Sequence, residues 1–162
     1  MKIITADTLL QDLALRGLNG EKISDQQIKV FASKDNFVNH LNYLQSIGFE
    51  HLANINGVDY IDENEFEVVY HVYSYTHKIH IIFKVRIPRE KPVILTVVGL
   101  WEQAQFYEQE VFEFYGIYFE GNKDLTPLFL ENWNDLPPLR KDFNTEEFSE
   151  RLFGSKKNGG EK

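Results

Sequence analysis

Lys78–Ile87, KIHIIFKVRI, alternates more cleanly than any other stretch of the chain. Ile79, Ile81, Phe83, Val85 and Ile87 fall on one face, and Lys78, His80, Lys84 and Arg86 on the other, with Ile82 the exception. A period of two residues belongs to an extended strand with one packed and one wetted face. Glu65–Tyr75, just upstream, alternates less strictly, and the two segments together predict an antiparallel hairpin.

Working outward from the hairpin, His51–Tyr60 reads as extended and Gln27–Ala32 as a short strand. Ser33 is a helix-capping residue type placed before an amphipathic segment with Phe37, Leu41, Leu44 and Ile47 on one stripe, and Gly48 ends that helix. Pro88 and Pro92 bracket a turn, and Val93–Val98 predicts another short strand. A helix from about Gly99 to Tyr115 follows and is capped by Gly116. Residues 1–143 are expected to form one domain and 144–162 a partly flexible tail, with the final Gly154–Lys162 frayed.

The composition bounds the chemistry. At 162 residues the chain fits one domain that buries roughly two thirds of its unfolded surface. The sequence contains no cysteine, which excludes thiolate ligation of zinc or of a conventional iron–sulfur cluster, and a thiol nucleophile. A net charge of -8 argues against nucleic acid as a partner. The longest apolar-rich stretch, Val93–Leu100, is far shorter than the ~20 residues a membrane helix needs, so any membrane contact is expected to be indirect. MKIITADTLLQDL lacks the basic flank and apolar run of a signal peptide and points to the cytoplasm.

In the second helix, Leu100, Ala104, Tyr107, Val111, Phe114 and Tyr115 form the expected apolar stripe, with Trp101 and Glu108 on its flank. Glu108 and Glu110 project to nearly opposite sides, whereas Glu110 and Glu113 can converge. Exposed carboxylates are the usual case and read as a solvated acidic face. The sharper alternative is that they bind basic residues of a partner.

Ile117–Phe143 contains three prolines and little periodicity, yet it keeps Leu125, Leu128, Phe129, Leu130, Trp133, Leu136 and Leu139. That apolar content is foreign to a disordered linker, so the segment is expected to lie against its own core or a partner. It ends in PPLRKDF, Pro137–Phe143. There Arg140 suits a bidentate bond to a carboxylate, either in a surface pair or in an internal clasp to Glu108 or Glu110. Among the histidines, His77 and His80 would face opposite ways in a regular strand. His71 shares a face with Tyr73 and Tyr75, which reads as an aromatic surface ladder. No phosphate-cradling glycine loop or nucleophile elbow is present.

The order Trp101, Glu108-Gln109-Glu110, Glu113-Phe114-Tyr115-Gly116-Ile117, Phe119, Gly121, Asp124-Leu125 and Pro138-Leu139-Arg140-Lys141-Asp142-Phe143 resembles the 30 kDa subunit of respiratory complex I, which is the C-type polypeptide of NADH-quinone oxidoreductase. Gly57-Val58-Asp59-Tyr60 and Tyr70-His71 are similar as well, and the resemblance covers about residues 28–143. Gln109 departs from the family's Glu-Arg-Glu, Asn122 stands where a histidine commonly follows the glycine, and Thr126 where a basic residue is frequent. The same type of polypeptide occurs in energy-converting nickel-iron hydrogenases and in deazaflavin-dependent or ferredoxin-dependent complexes.

The resemblance implies an α/β (α+β) domain with a mixed sheet containing the hairpin, two main helices packed on it and an extended C-terminal segment. It also implies a non-catalytic assembly subunit in the hydrophilic arm of a membrane-attached oxidoreductase, peripheral on the cytoplasmic face, with no flavin, cluster, metal or quinone site of its own. Its expected partners are the large subunit that houses the quinone or nickel-iron site and the neighbouring hydrophilic-arm subunits. Glu108, Glu110, Glu113, Gly116, Arg140, Lys141 and Asp142 are the expected interface residues. The rival readings are a freestanding acid/base enzyme using Glu110 or Glu113 with His71, and a stand-alone binding module of the same fold.

Overall fold

The computed structural model describes residues 3–154. Four helices and seven strands follow in the order α1 (Ala6–Leu15), β1 (Asn19–Ser24), β2 (Gln27–Ala32), α2 (Phe37–Ser46), β3 (His51–Tyr60), β4 (Glu65–Ser74), β5 (Ile79–Pro88), β6 (Val93–Leu95), α3 (Ala104–Tyr115), β7 (Tyr118–Glu120) and α4 (Thr145–Phe153). The main sheet runs β1-β2-β5-β4-β3. Only its β2–β5 pair is parallel, so the sheet is mixed and the domain α+β.

The β4–β5 hairpin sits at the centre as the alternation predicts, pairing Tyr70 with Phe83 and Val68 with Val85. Ile79, Ile81, Phe83, Val85 and Ile87 are all buried. They share one sheet face with Phe66, Val68, Tyr70 and Val72, and the core residues Phe37, Leu41 and Leu44 of α2 and Leu9 and Leu13 of α1 complete the same cluster. Fully burying each large apolar side chain contributes about 1.5–3 kcal/mol, which makes this layer the main source of stability.

Several elements differ from the sequence expectation. Thr5 and Thr8 form a reciprocal cap that starts α1, and Ala6, Leu9 and Leu13 pack inward, although the sequence pattern predicts no helix there. The edge strand β1 is exposed along its whole length, so it carries no alternation to read. Helix α2 begins at Phe37 because Ser33–Asn36 closes a turn of its own, Asn36 N–H donating to the Ser33 carbonyl. Gly48 ends that helix at φ +100°, a conformation glycine adopts without strain. Helix α3 begins at Ala104 after tight turns over Gly99–Gln103. Within the expected tail, Thr145–Phe153 forms α4, capped by Asn144 and anchored where the Phe148 ring packs at a tilt against Trp133 and Phe143. Of the expected frayed end, residues 155–162 lie outside the described residues.

Strands β6 and β7 pair in parallel, Ile94 opposite Phe119, on either side of α3. This small β-α-β unit carries the motif helix. Its contact with the main sheet is close: a Cβ on Gly57 would come within 2.6 Å of the Tyr115 ring, so β3 admits α3 only because position 57 has no side chain.

Candidate interaction site

Helix α3 hides a polar face. Its buried residues are Ala104, Glu108, Gln109, Val111 and Glu113, while Tyr107, Phe114 and Tyr115 of the expected apolar stripe are only half-buried. The solvated acidic face is therefore corrected for two of the three motif carboxylates. A buried carboxylate is tolerated only with hydrogen-bond donors around it, and both have them.

Glu108 is fully buried and accepts hydrogen bonds from Thr96 Oγ1 at 2.6 Å, the Val97 backbone N–H at 2.7 Å and Asn122 Nδ2 at 2.8 Å. It thus ties the end of β6 and the chain after β7 to one helix position. Burial pushes its carboxyl up from the usual range, against the lowering effect of the Thr96, Val97 and Asn122 bonds. Asn122, at the position where the family resemblance places a histidine, supplies a neutral donor here.

Glu113 grips the returning loop. Its carboxylate accepts from the backbone N–H groups of Leu128 at 3.0 Å, Phe129 at 3.0 and 3.1 Å, and Leu130. One turn earlier, Gln109 Nε2 donates to the Asp124 carbonyl at 2.6 Å and to Thr126 Oγ1 at 3.2 Å, while its buried Oε1 has no partner among the described residues. Residues 124–130 are held by side chains of α3; Leu125 packs on the core and Leu130 is half-buried, while Leu128 and Phe129 are left facing outward.

Gly116 caps α3 at φ +76°, and Pro137 approaches it so closely that a Cβ there would lie 3.1 Å from Cγ. The segment then runs back along the helix end, with Leu139 N–H donating to the Phe114 carbonyl. Arg140 does not reach Glu108 or Glu110. It makes a bidentate bond to Asp142, at 3.0 Å from both Nε and Nη2, so the expected internal clasp forms with a different partner. Asp142 also takes Arg89 at 2.8 Å, and Arg89 in turn is bidentate to Asp59 at 2.8 and 3.1 Å. The Lys141 backbone N–H closes the network on Asp59 Oδ2 at 2.8 Å.

Beside Arg140, and with Arg89 helping, the Asp142 carboxyl is held down to about 2 although burial opposes it. For Asp59, by contrast, burial is the largest single influence, but the Arg89 and Lys141 bonds together outweigh it and lower that carboxyl too. Asp59 and Arg89 carry no role in the sequence reading. The signal was available: Ile55, Gly57 and Asp59 share the packed face of β3, and a charge on that face requires a counter-charge.

Glu110 stands apart. It is exposed, and among the described residues its side chain makes no hydrogen bond or ion pair. His71 lies on the other side of the main sheet: Tyr70 and Val72 on either side of it point into the core that α3 covers. The acid/base pairing of His71 with Glu110 or Glu113 is therefore corrected, because the sheet stands between them. His71 instead stacks on His80, Nδ1 to Nε2 at 3.1 Å, and His80 Nδ1 takes Gln27 Nε2 at 2.9 Å. Burial lowers both rings from the usual histidine range. His77 accepts from the Ile4 N–H at Nδ1 and donates from Nε2 to the Ile47 carbonyl, a buried strut between the N-terminus and the end of α2.

Alongside these bonds the segment after α3 exposes Leu128, Phe129, Leu136 and Leu139. Taken together, the fold and the site define an α+β domain that uses buried carboxylates to hold an apolar C-terminal segment at its surface. The chain belongs to the family of the respiratory-chain NADH dehydrogenase 30 kDa subunit, whose model matches residues 30–149. As such it is a subunit of a complex I-like or related membrane-bound respiratory complex.

Over 123 residues the chain is 39% identical to the C-type polypeptide of the F420H2 dehydrogenase of Methanosarcina mazei, covering 72% of this chain and 75% of that protein. It is 35% identical over 120 residues to the C-type polypeptide of the NADH-quinone oxidoreductase of Roseiflexus sp., covering 71% and 68%. Among solved structures it superposes on a chain of the membrane-bound sulfane sulfur reductase, an archaeal respiratory membrane complex. The TM-score is 0.85 at 25% identity, covering 96% of this chain and 95% of that one. The trypsin-resistant fragment of Nqo5 superposes with a TM-score of 0.66 at 29% identity, covering 74% and 98%. No helix among the described residues is long and apolar enough to cross a membrane.

Proposed function

We propose that this chain is a non-catalytic assembly subunit that docks against the large subunit housing the redox site of its complex. It belongs to the hydrophilic arm, on the cytoplasmic face, and meets the membrane only through its partners. The observation that carries this reading is the ordered but outward-facing apolar segment after Gly116. Glu113, Gln109 and the Asp59–Arg89–Asp142–Arg140 network fix its backbone, and Leu128, Phe129, Leu136 and Leu139 remain exposed. Holding apolar groups rigidly in water has a cost, and a partner surface that covers them recovers it.

In this reading Glu108, Glu113, Gly116, Arg140, Lys141 and Asp142 act on docking from within, by fixing the shape of the segment, while Glu110 faces the partner directly. Purifying the epitope-tagged chain from host membranes tests it. The large redox subunit should co-purify, and Arg140→Glu should reduce that recovery more than it lowers the melting temperature, because the Arg140–Asp142 pair is partly exposed and contributes only about 0–1 kcal/mol to folding. Recovery of the wild-type chain alone would overturn the proposal.

A further inference from the structure

We infer that the outward face of α3 docks through a single ion pair closed inside an apolar ring, in which Glu110 receives an arginine or lysine that projects from an otherwise apolar patch of a partner subunit. The inference rests on the docking reading above and adds the chemistry of the surface that meets this helix.

Glu108 and Glu113 have spent their acceptors inside the molecule, and Glu110 has not. Around it the exposed groups are mostly apolar, Asn56 of β3 being the polar exception. Phe106, one turn earlier on the same side of the helix, is 63% exposed. Phe114, one turn later, carries Phe129 stacked on it with ring centroids 6.1 Å apart and planes at 8°, and Phe129 itself is 66% exposed. Leu139, 53% exposed, shares a shallow groove with Glu110, Phe114, Tyr115 and β3 residues Ile55–Gly57. A lone carboxylate in such a ring constrains what can cover it. An apolar or acidic surface would strip its water and leave an unpaired buried charge, which is strongly unfavourable. A basic residue with apolar neighbours satisfies both the ring and the charge.

No cation among the described residues pairs with Glu110. Arg89 and Arg140 are both paired with Asp142, so neither serves as an internal counter-charge for Glu110. Charge complementarity thus falls to the partner, and arginine is favoured by its planar, weakly hydrated guanidinium, which also lies flat on aromatic rings such as Phe106 and Phe129. The chain's net charge of -8 steers a basic surface toward it.

The test uses the tagged full-length chain assembled in host membranes, with Glu110→Lys, Phe129→Ser and, as a control in the β1–β2 turn at the sheet edge opposite β3, Asp25→Lys. Glu110→Lys should weaken association by about 30-fold or more, the scale of breaking a desolvated charge pair, and Phe129→Ser should weaken it by opening the ring. Asp25→Lys should leave association unchanged, and the isolated variants should melt close to wild type. A photo-crosslinking phenylalanine at position 106 should capture a partner peptide that contains arginine or lysine among apolar residues. If wild type assembles but Glu110→Lys assembles equally well, or the captured peptide has no basic residue, this inference fails and the docking reading stands. If wild type is recovered only as a free chain, both fail.

Discussion

Glu113→Gln keeps the length and shape of the side chain and removes one of its two acceptor oxygens. In the native protein Oε1 accepts from Phe129 and Leu130, and Oε2 from Leu128 and Phe129. With an amide in place, one side presents an NH2 to backbone N–H groups. At least one of the three donors then loses its acceptor and faces a like dipole. A hydrogen bond to a charged group contributes about 1.5–3 kcal/mol. Leu128 and Phe129 are exposed, so water replaces part of that loss, whereas Leu130 is half-buried and loses more. The balance is a destabilisation of about 2 kcal/mol, which in a domain of this size lowers the melting temperature by about 4–8 °C.

Amide hydrogen exchange localises the effect. An opening free energy lower by about 2 kcal/mol speeds exchange by roughly 30-fold. The acceleration should appear at Leu128, Phe129 and Leu130 through local opening, and at Ile81 and Phe83 in the central hairpin as the same loss of global stability. Unchanged protection at those three amides in Glu113→Gln would refute the argument, because the loop would then be held by its apolar side chains and not by the carboxylate.

Three further perturbations probe the scaffold. Gly57→Ala places a methyl 2.6 to 2.9 Å from three atoms of the Tyr115 ring. It should cost about 1–3 kcal/mol in urea unfolding, and an unaltered midpoint would show that α3 is not fixed against β3 there. Gln109→Arg replaces an unpartnered buried oxygen with donors only, one turn from Glu113, and should raise the melting temperature by about 2–4 °C; a drop would mean that desolvating the guanidinium outweighs the gain. Asp142 has a folded value of about 2, below its unfolded one, so its stabilisation is complete above about pH 4 and is lost as the pH falls toward 2. Glu108 has the opposite sign: burial raises its folded value, so its contribution declines as the pH rises through that value. Asp142→Asn should therefore cost about 1 kcal/mol near neutral pH, after allowance for screening, and much less near pH 3, and equal losses at both would sink the assignment.

The central hairpin was legible because β5 alternates buried with half-buried residues along its length, which writes a period of two into the sequence, while β4 alternates less strictly because Glu67 and Val69 on its other face are buried as well. The edge strand β1 has no buried face and so leaves no such trace. Helix α1 rests on three inward residues and a Thr-x-x-Thr cap, too short a stripe to stand out against its neighbours. The parallel pairing of β6 with β7 involves three residues a side and depends on α3 lying between them, which no local pattern reports. At the site, the motif residues were found and their direction was not. Helical spacing placed Glu108 and Glu110 on opposite sides, as observed. It could not reveal that the donors for Glu108 and Glu113 come from Thr96, Asn122 and the backbone of residues 128–130, which lie on other elements.

Glu110 and Glu113 are only about 60° apart around the helix, yet one is open to a partner and the other is buried. What divides them is the loop at 127–130, which folds back over α3 and ends its apolar ring beside Glu110. The stack of Phe129 on Phe114 exists because Glu113 holds the Phe129 backbone in place. The inner carboxylate therefore sets the environment of the outer one. If the two are coupled in this way, Glu113→Gln should weaken partner association beyond its effect on stability, although it touches no exposed surface. Combining it with Glu110→Lys should give less than the sum of the two separate losses, since a disordered ring no longer encloses the charge it was built around.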